Sequence, residues 1–211
     1  MPTTSTIALF AVAAFALVVI PGPSVMYIMT RGISQGRRAA LVSALGIQSG
    51  SVVHIVAVAL GLSALPVSSA TAFNVVKYAG AAYLLFLGVR TLLGRDATHA
   101  TKTLAPDGLR RIYAQGAVVN ILNPKTALFF LALFPQFIDA DRGSVLGQTA
   151  ALGVLFLMIG LLSDGTYAML SGTIGAWLRE RESFARAQRY LTGVVFIGLG
   201  ITAALAGRST K

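Results

Sequence analysis

Three ionisable side chains stand inside long apolar runs: His54 in "GSVVHIVAV", Lys125 in "NPKTALFFL" and Asp164 in "LLSDGTYAML". A carboxylate or ammonium at the centre of a membrane helix costs about 2.5–3.5 kcal/mol on insertion scales, so such groups face a polar interior and mark ion or substrate paths. Asp164 is therefore the leading proton carrier, the alternative being a carboxyl that ties helices together. His54 suits proton relay near neutral pH; taken singly, a helix-linking hydrogen bond is the better explanation of it. Lys125 follows a proline, where a cation opposes the helix dipole. A bound carboxylate would relieve it, as would pairing with Asp164 or snorkelling to the interface.

These groups lie near two interruptions. Pro21, Gly22 and Pro23 break the apolar run 5–30, and Pro124 breaks the run 112–135. Proline removes a helix hydrogen bond and clashes with the preceding turn. In lipid the freed backbone groups must face protein or a wet cavity. Pro23 and Pro124 suit the first position of a new half-helix. Ser24 then sits at an open N-terminus that attracts anions, and Asn123 can cap the other. Asn120 and Asn123 share one face with Gly116 and Ala127, where they would bind substrate, tie up the broken backbone, or both. The expected substrate-binding set is Pro21, Gly22, Pro23, Ser24, Asn120, Asn123, Pro124 and Lys125. Asp164 and His54 are the proton-coupling set. Packing kinks are the plainer explanation of either break alone; two symmetric breaks favour a pathway.

The elements that must position these residues follow from composition. The 211 residues are 55% hydrophobic and 11% charged, against about 25% charged in soluble domains. That suits six membrane spans of roughly 20 residues, at 5–30, 39–63, 71–92, 112–135, 145–173 and 190–207. No basic n-region precedes the first span, so no cleaved signal peptide is expected. The net charge of +10 sits in short loops, which argues against nucleic acid as a partner. Twelve cations, Arg31 and Arg37 among them, fall on one side and four on the other. Cytoplasmic loops collect Lys and Arg, which places both termini outside.

The chain divides at its polar linker into a first three-helix repeat at 1–92, a cytoplasmic linker at 93–111 and a second repeat at 112–211. "KYAGAAYLLFLG" (77–88) matches "RYLTGVVFIGLG" (189–200) without a gap. Three spans per half inverts one half against the other, a common build of secondary transporters. The expected fold is an all-α integral membrane protein of six transmembrane helices, two inverted repeats with helices one and four broken. On span two, Gly46, Gly50, His54, Ala57 and Gly61 share a face fit for close packing, internally or in a homodimer. Gln48 lies off that stripe and carries less weight.

No cysteine occurs, no metal or other cofactor is expected, and no HExxH, GxSxG or phosphate loop is present. An enzyme is accordingly not expected. The rival readings are a passive channel or facilitator, and a membrane scaffold without a solute path.

Together, "PGPSVMYI", "GIQSGSVVHIVAVALGL", "KYAGAAYLLFLG" and "GAVVNILNPKTALFFLALFPQF" resemble the lysine exporter superfamily over nearly the whole chain, close to its homoserine/threonine (resistance-to-homoserine) branch. The resemblance implies a bacterial inner-membrane exporter of amino acids driven by proton antiport. It also implies that the Pro21–Pro23 and Asn123–Lys125 regions form the core of the pathway, and that Asp164 matches a recurrent acid of span five. His54 stands where basic-amino-acid exporters place an acid, which implies a neutral substrate. The expected ligands are thus the amino acid, with its carboxylate near Ser24 and Lys125 and its ammonium on Asn120, Asn123 or opened backbone carbonyls, and protons; the lipid bilayer is the third partner.

Overall fold

The computed structural model describes residues 2–64 and 107–171, with helical positions between 78 and 93 and between 190 and 205. The described residues are helical, with no strand among them. Helix α1 covers Thr4–Val19, α2 Pro23–Gln35, α3 Arg37–Ala64, α4 Leu109–Ile121, α5 Pro124–Leu128 and α6 Val145–Leu170. After α5 the chain continues as a π-helical turn, Phe129–Leu133, and a 3-10 turn, Phe134–Phe137.

The prolines act as their chemistry requires. Pro23 and Pro124 each occupy the first turn of a new helix, where a missing amide costs nothing. The α1–α2 pair bends by 48°, as does α4 against Pro124–Phe137. Among the described residues Arg37–Gly61 and Val145–Leu170 are long and apolar enough to cross a membrane, and each bent pair qualifies as one span more. Expected spans three and six fall only partly on described residues, and linker residues 94–106 lie outside them.

Loop one differs from expectation. Helix α2 runs on to Gln35 and α3 starts at Arg37, so the junction is Gly36 alone, at φ +83°. Glycine takes that left-handed conformation without steric cost. Arg31, expected in the loop, is a helical residue only 2% exposed. A hydropathy pattern ends a span where polar residues begin, and misses a polar helix end buried by a partner.

Small residues set the distances between helices. Helix α3 packs along α4 and α6, and α2 against α3. A Cβ on Gly50 would lie 2.7 Å from the Ala117 carbonyl oxygen, and one on Gly116 2.8 Å from that of Ser43. The α3 and α4 backbones therefore touch; Gly61, farther along the stripe, has no neighbour within 4 Å of an added Cβ among the described residues. The helical positions of 78–93 and 190–205 approach each other in the same way. A Cβ on Gly88 would lie 2.6 Å from Ile197 Cγ1 and 2.9 Å from the Gly193 carbonyl oxygen. One on Gly200 would lie 2.9 Å from Leu85 Cγ and 3.0 Å from the Ala81 carbonyl oxygen. Residue 81 meets 200 while 88 meets 193, so these helical positions run antiparallel.

The main apolar cluster joins Phe10, Leu17, Phe129, Phe130, Phe134 and Phe156. Phe10 meets Phe134 edge-on at 5.3 Å between centroids, a favoured aromatic geometry. This cluster wedges α1, α6 and the π turn together on one side of the breaks.

Candidate functional site

The two breaks meet. Ser24 Oγ, in the first turn of α2, donates to Asn120 Oδ1 at 3.1 Å and accepts from Asn123 Nδ2 at 2.9 Å. Asn123 caps α5, its Oδ1 accepting from the Lys125 amide at 3.1 Å. Asn120 is 2% exposed and uses its whole bonding capacity. Its Nδ2 donates to Ile47 O and Ser51 Oγ, both at 2.9 Å, and its Oδ1 also accepts from Thr126 Oγ1 at 3.0 Å. Buried amides are satisfied in this way because an unpaired one is costly.

The carbonyls freed by each break are taken up by side chains. Lys125 Nζ donates to Ile20 O at 2.6 Å and Tyr167 Oη to Val19 O at 2.6 Å, both at the C-terminal end of α1. A cation is favourable at a helix C-terminus. So the ammonium crosses from the start of its own helix, where it opposes the dipole, to the end of another. At the second break His54 Nε2 lies 3.2 Å from Asn120 O, and its ring stacks on Phe130 at 5.7 Å. A carbonyl only accepts, so this nitrogen carries the proton.

Between the breaks lies a cavity of ≈ 40 Å³. A buried water needs roughly 10–15 Å³ by this measure, so a few fit, whereas an amino acid does not. Its wall includes Gly22, Ser24, Gln48, Asn120, Asn123, Lys125 and Asp164. The N-terminus of α2, beginning at Gly22, has no side-chain cap. Gly22 packs on Lys125, which a Cβ there would meet at 3.4 Å. Lys125 and Asp164 are 7% and 3% exposed. They share this wall without a direct ion pair among the described contacts.

Of the residues expected from sequence, Gly22, Ser24, Asn120, Asn123, Lys125 and Asp164 line the cavity. Pro21, Pro23 and Pro124 shape the breaks behind it. His54 stands outside the lining, with its Nε2 on Asn120 O. Sequence reasoning passed over Gln48, whose Nε2 donates to Asp164 Oδ2 at 2.7 Å. A signal existed in Gly160, one turn before Asp164: a Cβ there would lie 2.6 Å from Gln48 Nε2.

At the α2–α3 junction end of the bundle, α2 is clamped to the start of α4. Arg31 donates through Nη2 to Asp107 Oδ2 and Gln115 Oε1, and through Nη1 to Gln35 Oε1, each at 2.6 Å. Tyr27 Oη donates to Ile112 O at 2.9 Å. The Arg31 guanidinium holds the Asp107 carboxyl below the usual carboxylate range, with Arg111 assisting.

The family model described as "LysE type translocator" matches residues 15–207. The chain is 34% identical over 186 residues to a homoserine/homoserine lactone efflux protein of Salmonella typhimurium, covering 88% of this chain and 89% of that one. An uncharacterized membrane protein of Vibrio cholerae is also 34% identical, over 88% of this chain and 90% of its own. A leucine efflux protein of Enterobacter sp. (strain 638) is 28% identical over 90% of each. No solved structure matches the chain.

Proposed function

The chain belongs to the LysE-type translocator family of membrane proteins, and on that premise we propose that it exports neutral amino acids across a bacterial inner membrane by proton antiport. The efflux of homoserine, its lactone and leucine, for which relatives are named, supports substrates of that size and charge. The observation that carries the reading is the meeting of both helix breaks at one small cavity walled by Lys125 and Asp164. Helix ends at mid-membrane are where secondary transporters bind charged solutes.

In this mechanism the substrate carboxylate sits at the uncapped start of α2, against the Lys125 ammonium. Asp164 takes a proton from outside and gives it up inside as the two halves rock. Pro21, Pro23 and Pro124 keep the breaks open, and Ser24, Asn120 and Asn123 tie one break to the other. His54 contributes by holding the Asn120 carbonyl; a proton path through it would have to pass that contact.

The architecture proposed is six spans in two inverted repeats. The equal 48° bends support it. So does the glycine packing: in the ungapped match of 77–88 to 189–200, Gly88 corresponds to Gly200, Leu85 to Ile197 and Ala81 to Gly193. Each contact is thus the two-fold exchange of another. With the basic loops inside and both termini outside, the Arg31–Asp107 clamp closes the cytoplasmic side.

The test is efflux of labelled homoserine or leucine from proteoliposomes under an imposed pH gradient. Asp164→Asn is expected to lower gradient-driven efflux at least a hundredfold while the protein still folds and inserts. Full gradient-driven efflux by that variant would remove Asp164 from the role. Wild-type efflux indifferent to the gradient would make the protein a passive facilitator.

A further inference from the structure

Gln48 is a polar side chain of the cavity wall to which the mechanism above gives no role. Its Nε2 donates to Asp164 Oδ2, as it must, since a carboxylate only accepts. The other end of the amide, Oε1, is buried, and among the described residues no donor reaches it. An acceptor left so is costly. Gly160 makes room for the amide: a Cβ there would lie 2.6 Å from Nε2 and 2.9 Å from Oε1. Helices α3 and α6 thus place a carboxylate and an idle amide oxygen side by side. Three neighbouring acceptors are already occupied: Asn120 Oδ1 by Ser24 and Thr126, Asn123 Oδ1 by the Lys125 amide, Ile20 O by Lys125 Nζ.

We propose that Gln48 Oε1 and Asp164 together hold the ammonium group of the transported amino acid, and that turning over of the Gln48 amide makes ammonium and proton binding mutually exclusive. The proposal rests on the export reading and names the half of its site that reading leaves open. With Asp164 ionised, Nε2 faces it and Oε1 is free to accept an ammonium N–H once the cavity widens. With Asp164 protonated, its O–H donates to Oε1. The amide then presents its NH₂ where the ammonium would sit, donor against donor. The last torsion of glutamine is broad and roughly two-fold, so the turn needs no change of side-chain path. The charged and titratable groups around Asp164 fit this arrangement. Lys125 of α5 faces the cavity and Tyr167 of α6 itself is held on Val19 O. On α3, His54 lies against Asn120 O, outside the cavity lining; Arg31 of α2 and Arg111 of α4 pair with Asp107. Helix α1 carries no charge.

The experiment uses the full-length protein in proteoliposomes, measuring exchange of labelled homoserine or leucine at equal pH on both sides. The competitors are 4-hydroxybutyrate and 4-methylpentanoate, the same molecules without the amino group. Wild type is expected to prefer the amino acid on the order of 10–100-fold, the range of a buried hydrogen bond to a charged group. Gln48→Met keeps the length of the side chain and removes the amide while Asp164 stays; it should lower that ratio by about tenfold, the worth of one hydrogen bond to a charged group. Protons should compete with the amino acid more weakly in Gln48→Met than in wild type, since Asp164 still titrates but no amide turns its NH₂ toward the ammonium. A merely structural role would shift both ligands together and leave the ratio unchanged. Gly160→Ala, which keeps Gln48 and displaces its amide, should lower the ratio in the same direction and serves if the methionine variant does not fold. An unchanged ratio in the variants overturns the proposal while export stands. Absence of exchange by wild type overturns the export reading, and this proposal with it.

Discussion

Lys125 starts one half-helix and stabilises the end of another. Its ammonium on Ile20 O is the reason a cation beside Pro124 is tolerated, and it ties the two breaks across the cavity. His54 does related work at the second break from outside the cavity. Stacked on Phe130 and bonded to a carbonyl that also accepts from the Asn123 amide, it acts here as a donor. His54→Gln keeps a donor and removes the imidazole. Efflux by that variant should keep the wild-type pH profile, and His54→Ala should lose about 1 kcal/mol of stability in detergent. A profile that flattens in His54→Gln would instead put the imidazole in the proton path.

The bent pairs behave as elements with a clamp at one end. Arg31, Gln35, Asp107 and Gln115 join α2 to the start of α4 through short bonds around a buried guanidinium. In the proposed export cycle, opening the cavity on that side parts them. The chain has no cysteine, so Ser24→Cys reports access directly. Added Asp107→Asn should speed labelling of that thiol by a membrane-impermeant maleimide from the clamp side by about tenfold; an unchanged rate would mean the clamp is not the barrier. The pH dependence has a definite sign. Asp107 is held below its ordinary value of about 3.9, so the pair's contribution is complete above that pH and is lost as pH falls through the lowered value. Thermal stability of the wild type should therefore fall more below about pH 4 than that of Asp107→Asn.

At the scale of the molecule, apolar side chains face both ways. Leu9, Val12 and Phe15 of α1 and Met158 and Leu162 of α6 are exposed, between 57% and 75%, a surface suited to lipid rather than water. Inward, polar residues cluster where the breaks meet. Of the span-two glycines that the sequence offers for internal packing or a homodimer, Gly46 and Gly50 pack on the α4 backbone within the chain, and Gly88, Gly193 and Gly200 are likewise in close internal contacts. If 78–93 and 190–205 are related by the proposed two-fold, Gly88→Ala and Gly200→Ala should destabilise by similar amounts, about 1–3 kcal/mol each from overpacking. Gly198, with nothing within 4 Å among the described residues, provides the control: Gly198→Ala should be neutral or stabilising, since alanine is the better helix former. A cost at Gly198 equal to the other two, read from detergent unfolding midpoints, would discount the packing argument.

From sequence alone came the apolar spans, the two proline breaks and the few ionisable groups within them, because hydropathy, proline geometry and the cost of buried charge act locally along the chain. The glycine stripe of α3 was legible for the same reason, as small residues at helical spacing mark a close neighbour. The partners were not legible. That Lys125 reaches α1, that Arg31 is buried on Asp107, and that Gln48 lies on Asp164 are long-range contacts, each set by which helices lie side by side. Gln48 sits off the small-residue stripe because it turns toward α6 rather than α4, and no spacing along one helix records where a second helix will be.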